Sequence, residues 1–386
     1  MTPGARALLA LLLAAPLGAQ RGPPRRPRLD AGVDSNAAGA YYALGLRTLQ
    51  QDPNRAAAAF YWATRLDPSY ADAWYGRWAA SLLALPSPVL DDYLEGIPNI
   101  VRSPEIQRID SLRREAFLRE PLLPLRLEAA LITDWLQRAT GGDISLGSLE
   151  SATQDPWARG WLAYARGRYA DATRYFALAQ RRYPQALGIH EDRARAFIPL
   201  LQYDSAVAEL QEMLDSARGR ESERLVHVYN SNAMTEFTIG RIAEMRGDTA
   251  TARARYAAAL VGDLAFYRGH MALGRLALNR GDSTESLAEY DLAVQLAPTD
   301  PNARYEYGLA LFDARRFLDA AEQFRQAVAA DSDFVAPYYP LGYLMDNTGQ
   351  DSLAIVCYQE FVRRAPRSAA AQVAVAKGRL ADLTRH

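Results

Sequence analysis

One cysteine, Cys357, stands among 386 residues, which excludes a disulfide framework, a cysteine-rich zinc site and a CxxC redox pair. Lysine is equally scarce: of 44 basic side chains, Lys377 alone is not arginine, a compositional bias without functional meaning. Histidine occurs at positions 190, 227, 270 and 386, with no two at i, i+4. His190-Glu191 lacks the second histidine of a zinc-protease motif. GxSxG, Walker and GxGxxG patterns are missing, so acyl-transfer, NTPase and dinucleotide chemistry have no anchor. Charge of one sign does not dominate either. With 44 basic and 45 acidic residues the formal net charge is −1, which argues against a nucleic-acid binder and an acidic tail protein. The chain is 49% hydrophobic and 23% charged, enough apolar material for two or three ordinary domains or one extended array.

No apolar run is long enough to span a membrane, which needs about 20 residues. Met1 to Gln20 instead has the pattern of an export signal: Arg6, then the nine apolar residues Ala7 to Ala15, then small residues at Gly18 and Ala19. Residues 1–19 are expected to be that signal, and the protein to be periplasmic or extracellular. Arg21, Arg25, Arg26 and Arg28 follow closely and disfavour translocation, so an uncleaved N-terminal membrane anchor is the alternative. Residues 20–39, with Pro23, Pro24 and Pro27 among the arginines, read as an extended, solvated linker.

The informative signal is a period of 34 residues. Six units begin at 153, 187, 233, 267, 301 and 335. Their eighth positions are Gly160, Ala194, Gly240, Gly274, Gly308 and Gly342. Their twentieth are Ala172, Ala206, Ala252, Ser286, Ala320 and Ala354; their twenty-fourth are Phe176, Leu210, Tyr256, Tyr290, Phe324 and Tyr358. Each unit reads as two helices joined by a polar turn such as Arg280-Gly281-Asp282. The small residues at eight and twenty are expected where the helices cross, with the aromatic at twenty-four filling space toward the next unit. Pro184, Pro298 and Pro366 end the second helix.

These residues resemble the tetratricopeptide repeat (TPR) family over Thr153 to Ser368. The resemblance implies an all-α fold, an α-solenoid of stacked antiparallel helix pairs in a right-handed superhelix. Departures are Arg218, Leu264 and Ser332 in place of the proline, Met213 and Phe361 in place of alanine at position twenty-seven, and Pro340 within a first helix. The organisation expected is a signal (1–19), a linker (20–39) and an N-terminal helical region with one TPR-like unit and an irregular segment (40–152). Six units follow (153–186, 187–220, 233–266, 267–300, 301–334, 335–368), then a capping helix (369–386). Residues 221–232 are an insertion. In the N-terminal region, Ala56, Phe60, Ala63 and Pro68 repeat the second-helix spacing, and Pro104 to Arg119 and Leu122 to Arg138 are helical outside the 34-residue phase.

Reactive residue types read as structure. His190 and His270 occupy a packing position of their units, Cys357 a buried place in a second helix, and Trp157 and Trp161 a packing pair. Asp91-Asp92 with Glu95 reads as an acid-rich helix start. No catalytic residue, metal ligand or cofactor is expected, and the chain is read as not an enzyme.

In the family, positions two, five, nine, twelve and thirteen of the first helices line a concave groove. Carried onto this sequence, the resemblance gives Arg195, Arg241, Arg275 and Tyr343 at nine, Phe237, Met271, Tyr305 and Tyr339 at five, Arg268 at two, and Phe312 and Asn279 at twelve and thirteen. Arginines running into aromatics imply a peptide ligand of acidic and apolar character. The function expected is thus a non-catalytic scaffold or adaptor for a protein or peptide partner, without nucleic acid or a membrane span. Two alternatives stand beside it: an accessory enzyme component with chemistry in residues 86–155, and a purely structural, self-associating solenoid.

Overall fold

The structure, a computed structural model, describes residues 23–94, 98–123, 146–218 and 232–385. The export signal, residues 124–138 of the helix expected over Leu122 to Arg138, residues 221–231 of the insertion, His227 and His386 lie outside these; Leu122 and Leu123 are not helical, and Asn232 of the insertion opens a helix. Among the described residues the chain is all α, with 20 α-helices and no strand. They are α1 (Ala38–Thr48), α2 (Pro53–Leu66), α3 (Ala71–Leu83), α4 (Ser87–Leu94), α5 (Pro98–Val101), α6 (Pro104–Arg119) and α7 (Leu146–Ala152). The repeats supply α8 (Pro156–Ala165), α9 (Tyr169–Arg182), α10 (Gly188–Phe197), α11 (Tyr203–Arg218), α12 (Asn232–Met245) and α13 (Thr249–Gly262). They continue with α14 (Tyr267–Asn279), α15 (Ser283–Leu296), α16 (Pro301–Asp313), α17 (Phe317–Ala330), α18 (Tyr338–Asn347) and α19 (Asp351–Arg364); α20 (Ala370–Leu383) follows.

Aspartates start many of these helices. Asp52, Asp155, Asp248, Asp282 and Asp300 each accept a backbone N–H of the first turn with a side-chain oxygen, satisfying a donor that has no partner within the helix. The turn between paired helices is as regular. Position fifteen is left-handed in all six units: Gly167, Gly247, Gly281 and Gly349, but also Leu201 (φ 57°) and Arg315 (φ 58°).

The helix crossing follows from sterics. A Cβ on Gly160, Gly240, Gly274, Gly308 or Gly342 would lie 2.5, 2.6, 2.9, 2.5 and 3.0 Å from the ring at position twenty-four of the same unit. The ring therefore lies over its own unit's glycine. In the fourth unit it also reaches onward, Tyr290 stacking on Tyr307 of the next unit at 6.4 Å. The unit with Ala194 at position eight is the one with Leu210 rather than a ring at twenty-four; where the glycine gains a methyl, its neighbour gives up volume. In the N-terminal pair the same contact recurs, with Phe60 against both Gly45 and Gly76.

The chain forms two compact units, one of residues 78–263 and one of residues 20–77 together with 264–386. In the first, α8 to α13 pair in sequence. Asp110 accepts from Trp78 Nε1 (3.2 Å) and the Tyr93 hydroxyl (2.9 Å), joining α3, α4 and α6. Asp91 and Asp92 lie past the first turn of α4, which holds no acidic residue, so the helix-start reading does not hold. Glu95 lies outside the described residues.

In the second unit the N-terminal pair α1–α2 joins the C-terminal repeats. Arg65 pairs with Asp331 (2.9 Å) and Asp333 (3.0 Å), and the Arg367 backbone N–H donates to Asp34 at 2.7 Å. The linker was expected to be solvated, yet its described part is held against this pair. Arg26 lies over the rings of Tyr41 (5.1 Å) and Trp62 (5.0 Å), and Trp62 Nε1 donates to the Pro24 carbonyl. At the other end α20 packs on α19, and Arg379 grips Asp346 of α18 through two bonds of 2.8 Å.

Candidate functional site

The residues carried over from the family lie on the first helices, but the structure treats them differently. In residues 78–263, Arg195 of α10 is sealed: Nη1 donates to the carbonyls of Pro121 (2.8 Å) and Leu123 (3.1 Å), and Nη2 to Glu191. Its guanidinium also lies 4.9 Å from the Phe117 ring. Phe237 of α12 is buried against Tyr256, ring centroids 5.2 Å apart. Arg241, one helix turn on, is half-buried between Glu244 (3.0 Å) and Glu120 (3.4 Å). The open arginine ladder expected there is closed by residues 117–123 of the same chain.

In the second unit two candidates are also internal. Arg268 pairs with Asp300 at 3.3 Å with both side chains buried, and Asp300 also caps α16; Met271 lies in the core. A buried arginine committed to a buried carboxylate is a structural element, since leaving either alone is costly. Tyr305 is half-buried against Phe324 (5.9 Å) and Phe334 (5.3 Å), and Tyr339 against Tyr358 (6.4 Å) and Phe361 (5.2 Å). Burial, reinforced by Glu306, pushes the Tyr305 hydroxyl above its ordinary range, so it stays neutral.

An accessible surface remains on α14, α16 and α18. Position nine runs Arg275 (half-buried), Leu309 (38% exposed) and Tyr343 (44% exposed) along consecutive first helices. Phe312 lies beside Tyr343: its ring is 5.9 Å from Tyr343 and 5.4 Å from Phe317, itself 42% exposed. Asn279 and Asn347 are exposed at the rim, and Asp346 is already neutralised by Arg379. The result is an apolar, aromatic strip with a polar edge, chemistry suited to contact with a side chain or peptide.

Other reactive side chains are packed. His270 Nδ1 donates to Glu289 at 2.7 Å, His190 Nδ1 meets Glu209 at 2.9 Å, and Trp157 Nε1 donates to Asp192 at 2.7 Å. Trp161 packs edge-on to Phe176. Burial pushes the Cys357 thiol up to about 11. Among the described residues no group of three or more His, Cys, Asp or Glu could hold a metal ion. No described helix is long and apolar enough to cross a membrane.

Comparison with known proteins bears on the repeat. Residues 237–301 match a tetratricopeptide repeat model. That match supports the resemblance read from the sequence. Residues 34–110 match a second model, described as the N-terminal domain of the T7SS, ESX-1 secretion system protein EccA1. No curated protein matches the chain. Solved structures that resemble it include the C-terminal part of a TPR repeat-containing protein from Cytophaga hutchinsonii (18% identity, 59% of this chain and 84% of that one, TM-score 0.44). Others are the APC/C hetero-tetramer Cut9–Hcn1 (14%, 97% and 83%, 0.40) and YrrB, a TPR protein with an unusual peptide-binding site (12%, 50% and 96%, 0.36). These likenesses are distant and do not bring those proteins' partners to this chain.

Proposed function

We propose that the protein is a non-catalytic scaffold or adaptor that takes a protein or peptide partner on the first-helix face of α14, α16 and α18. The observation that carries this reading is the strip of exposed Leu309 and Tyr343 around half-buried Phe312, with Arg275 at its edge. Tyr and Phe offer contact area at low entropy cost, and a face built on packed helix pairs loses little freedom on docking. The test is a comparative affinity capture with the native chain and a Leu309→Ser/Tyr343→Ser form as baits. Proteins retained by the first and lost by the second identify the partner. Identical retention would remove this face from the function.

Export to the cell envelope belongs to the same proposal and rests on the pattern of residues 1–19. Fractionation of cells carrying the full-length chain, with N-terminal sequencing of the product, tests it. A cytosolic, unprocessed product would overturn it. The match of residues 34–110 to a secretion-system protein domain favours a second reading, in which the partner is itself part of an export machinery. Co-capture of such components would distinguish it.

A further inference from the structure

The closed end of the arginine ladder is closed in a particular way. Residues 117–123 lie outside the 34-residue phase, yet reach the same position-nine side chains that the family resemblance assigns to ligand. α6 ends at Arg119, and Glu120 to Leu123 form a turn in which the Glu120 carbonyl accepts the Leu123 N–H at 3.1 Å. Arg195 reads two main-chain carbonyls of this segment, a contact that senses backbone geometry and not side-chain identity. Arg241 adds the acidic requirement through Glu120. Leu122 enters an apolar cluster with Ala194, Phe197, Leu210 and Ile239, and Phe117 lies beneath the Arg195 guanidinium. The space left beside them is about 20 Å³, room for roughly one water, so the fit is close.

We propose that the α10–α12 face bearing Arg195 and Arg241 is a recognition site for a short aromatic-x-x-Glu-Pro-Leu-Leu segment, and that residues 117–123 are its resident occupant. A partner segment of the same chemistry binds in trans by displacing the resident one. Rotamers and hydrogen bonds that would otherwise have to be ordered are already in place, so the site is preorganised. The cost falls on exchange: an internal competitor multiplies the apparent affinity by the fraction of molecules whose site is open. This rests on reading first-helix faces as peptide-binding, but concerns a different face from the Leu309–Tyr343 strip.

The probe is a fluorescein-labelled synthetic peptide of residues 114–123, titrated into the full chain and followed by anisotropy. Leu122→Ser weakens the resident segment alone and is expected to raise affinity for the peptide about tenfold over the native chain. Adding Arg241→Ala to that form is expected to reverse the gain, and a peptide with lysine in place of Glu120 is expected not to bind. A Leu122→Ser protein that melts cooperatively and binds the peptide no more tightly than the native chain would overturn the proposal. If that variant does not fold, the native chain decides by hydrogen exchange with the peptide in large excess. Faster exchange at the amides of residues 118–123 supports displacement, and unchanged exchange overturns it. Tyr343→Ser is expected to leave peptide affinity unaltered. Loss there would move the peptide to the other face and sink this site, whereas failure of the capture experiment alone would leave it standing.

Discussion

The packing logic of the repeat makes a graded prediction about three glycines of one compact unit. A Cβ on Gly308 would lie 2.5 Å from Cε1 and 2.7 Å from Cδ1 of Phe324, whose side chain is fully buried. Carbon contacts are comfortable at about 3.5–4.0 Å, so α16 and α17 must part by on the order of 1 Å. Overpacking of this kind costs about 1–3 kcal/mol, and replacing glycine by alanine within a helix returns about 1 kcal/mol. Gly308→Ala is therefore expected to destabilise by about 1 kcal/mol. At Gly342 the added atom would be 3.0 Å from the Tyr358 ring and 3.2 Å from Cys357 Cβ. That asks for a few tenths of an ångström, and the two effects roughly cancel. Gly378, in α20, has nothing within 4 Å of the added atom, and alanine there should stabilise by about 0.5–1 kcal/mol. Urea titration followed by far-ultraviolet circular dichroism should rank the midpoints Gly378→Ala, then native and Gly342→Ala together, then Gly308→Ala. Midpoints, not extrapolated free energies, are compared because helix arrays need not unfold in one step. A Gly308→Ala midpoint at or above the native one would refute the contact argument.

Other predictions follow from single sites. Arg315 holds a left-handed conformation that costs a non-glycine residue about 1 kcal/mol, so Arg315→Gly should raise the urea midpoint; a lowered midpoint would show that the turn is not strained. Burial raises the Asp331 carboxyl to about 6, against the opposing pull of Arg65. With the folded value above the unfolded one, its contribution to stability is full below about pH 4 and is lost as pH rises through 6. The stability of Asp331→Asn relative to native should thus increase between pH 5 and 7, and parallel pH profiles would contradict this. Cys357, with its thiol near 11, should carry about one thiolate in a thousand at pH 8. It should react with a disulfide reagent slowly when native and rapidly in urea, and fast stoichiometric labelling of the native chain would refute its burial.

The fold was legible because the helix crossing tolerates so few residue types. Glycine at eight and alanine at twenty recur every 34 residues for a steric reason, and the Ala194–Leu210 exchange obeys the same reason. The left-handed turn was legible only in part: Gly167, Gly247, Gly281 and Gly349 announce it, but Leu201 and Arg315 adopt it without a glycine to mark the place. Long-range partners were not legible. Arg195 meets Pro121 across 74 positions and Arg65 meets Asp333 across 268, and neither pairing leaves a periodic trace. Pro121 had a signal of its own, an acidic and apolar Glu-Pro-Leu-Leu run directly after a helix. As a sequence feature it reads only as a break.

Position nine shows how much such contacts change a reading of function. On one face it is Arg195, sealed beneath the chain's own segment, and Arg241, held between two glutamates; on the other it is Leu309 and Tyr343, open to solvent. An acidic ligand was inferred from counting arginines, yet Glu191, Glu120 and Glu244 already neutralise two of them. On our proposal, acidic recognition belongs to the α10–α12 face. The exposed strip of α16 and α18 offers apolar and aromatic contact, with its acidic neighbour Asp346 bound to Arg379. The two faces should respond differently to ionic strength. Raising salt should weaken the part of peptide binding that depends on the half-buried Arg241–Glu120 pair, while leaving partner retention through Leu309 and Tyr343 almost unchanged. A salt response of equal size on both faces would mean that charge, and not burial of apolar surface, governs the strip as well.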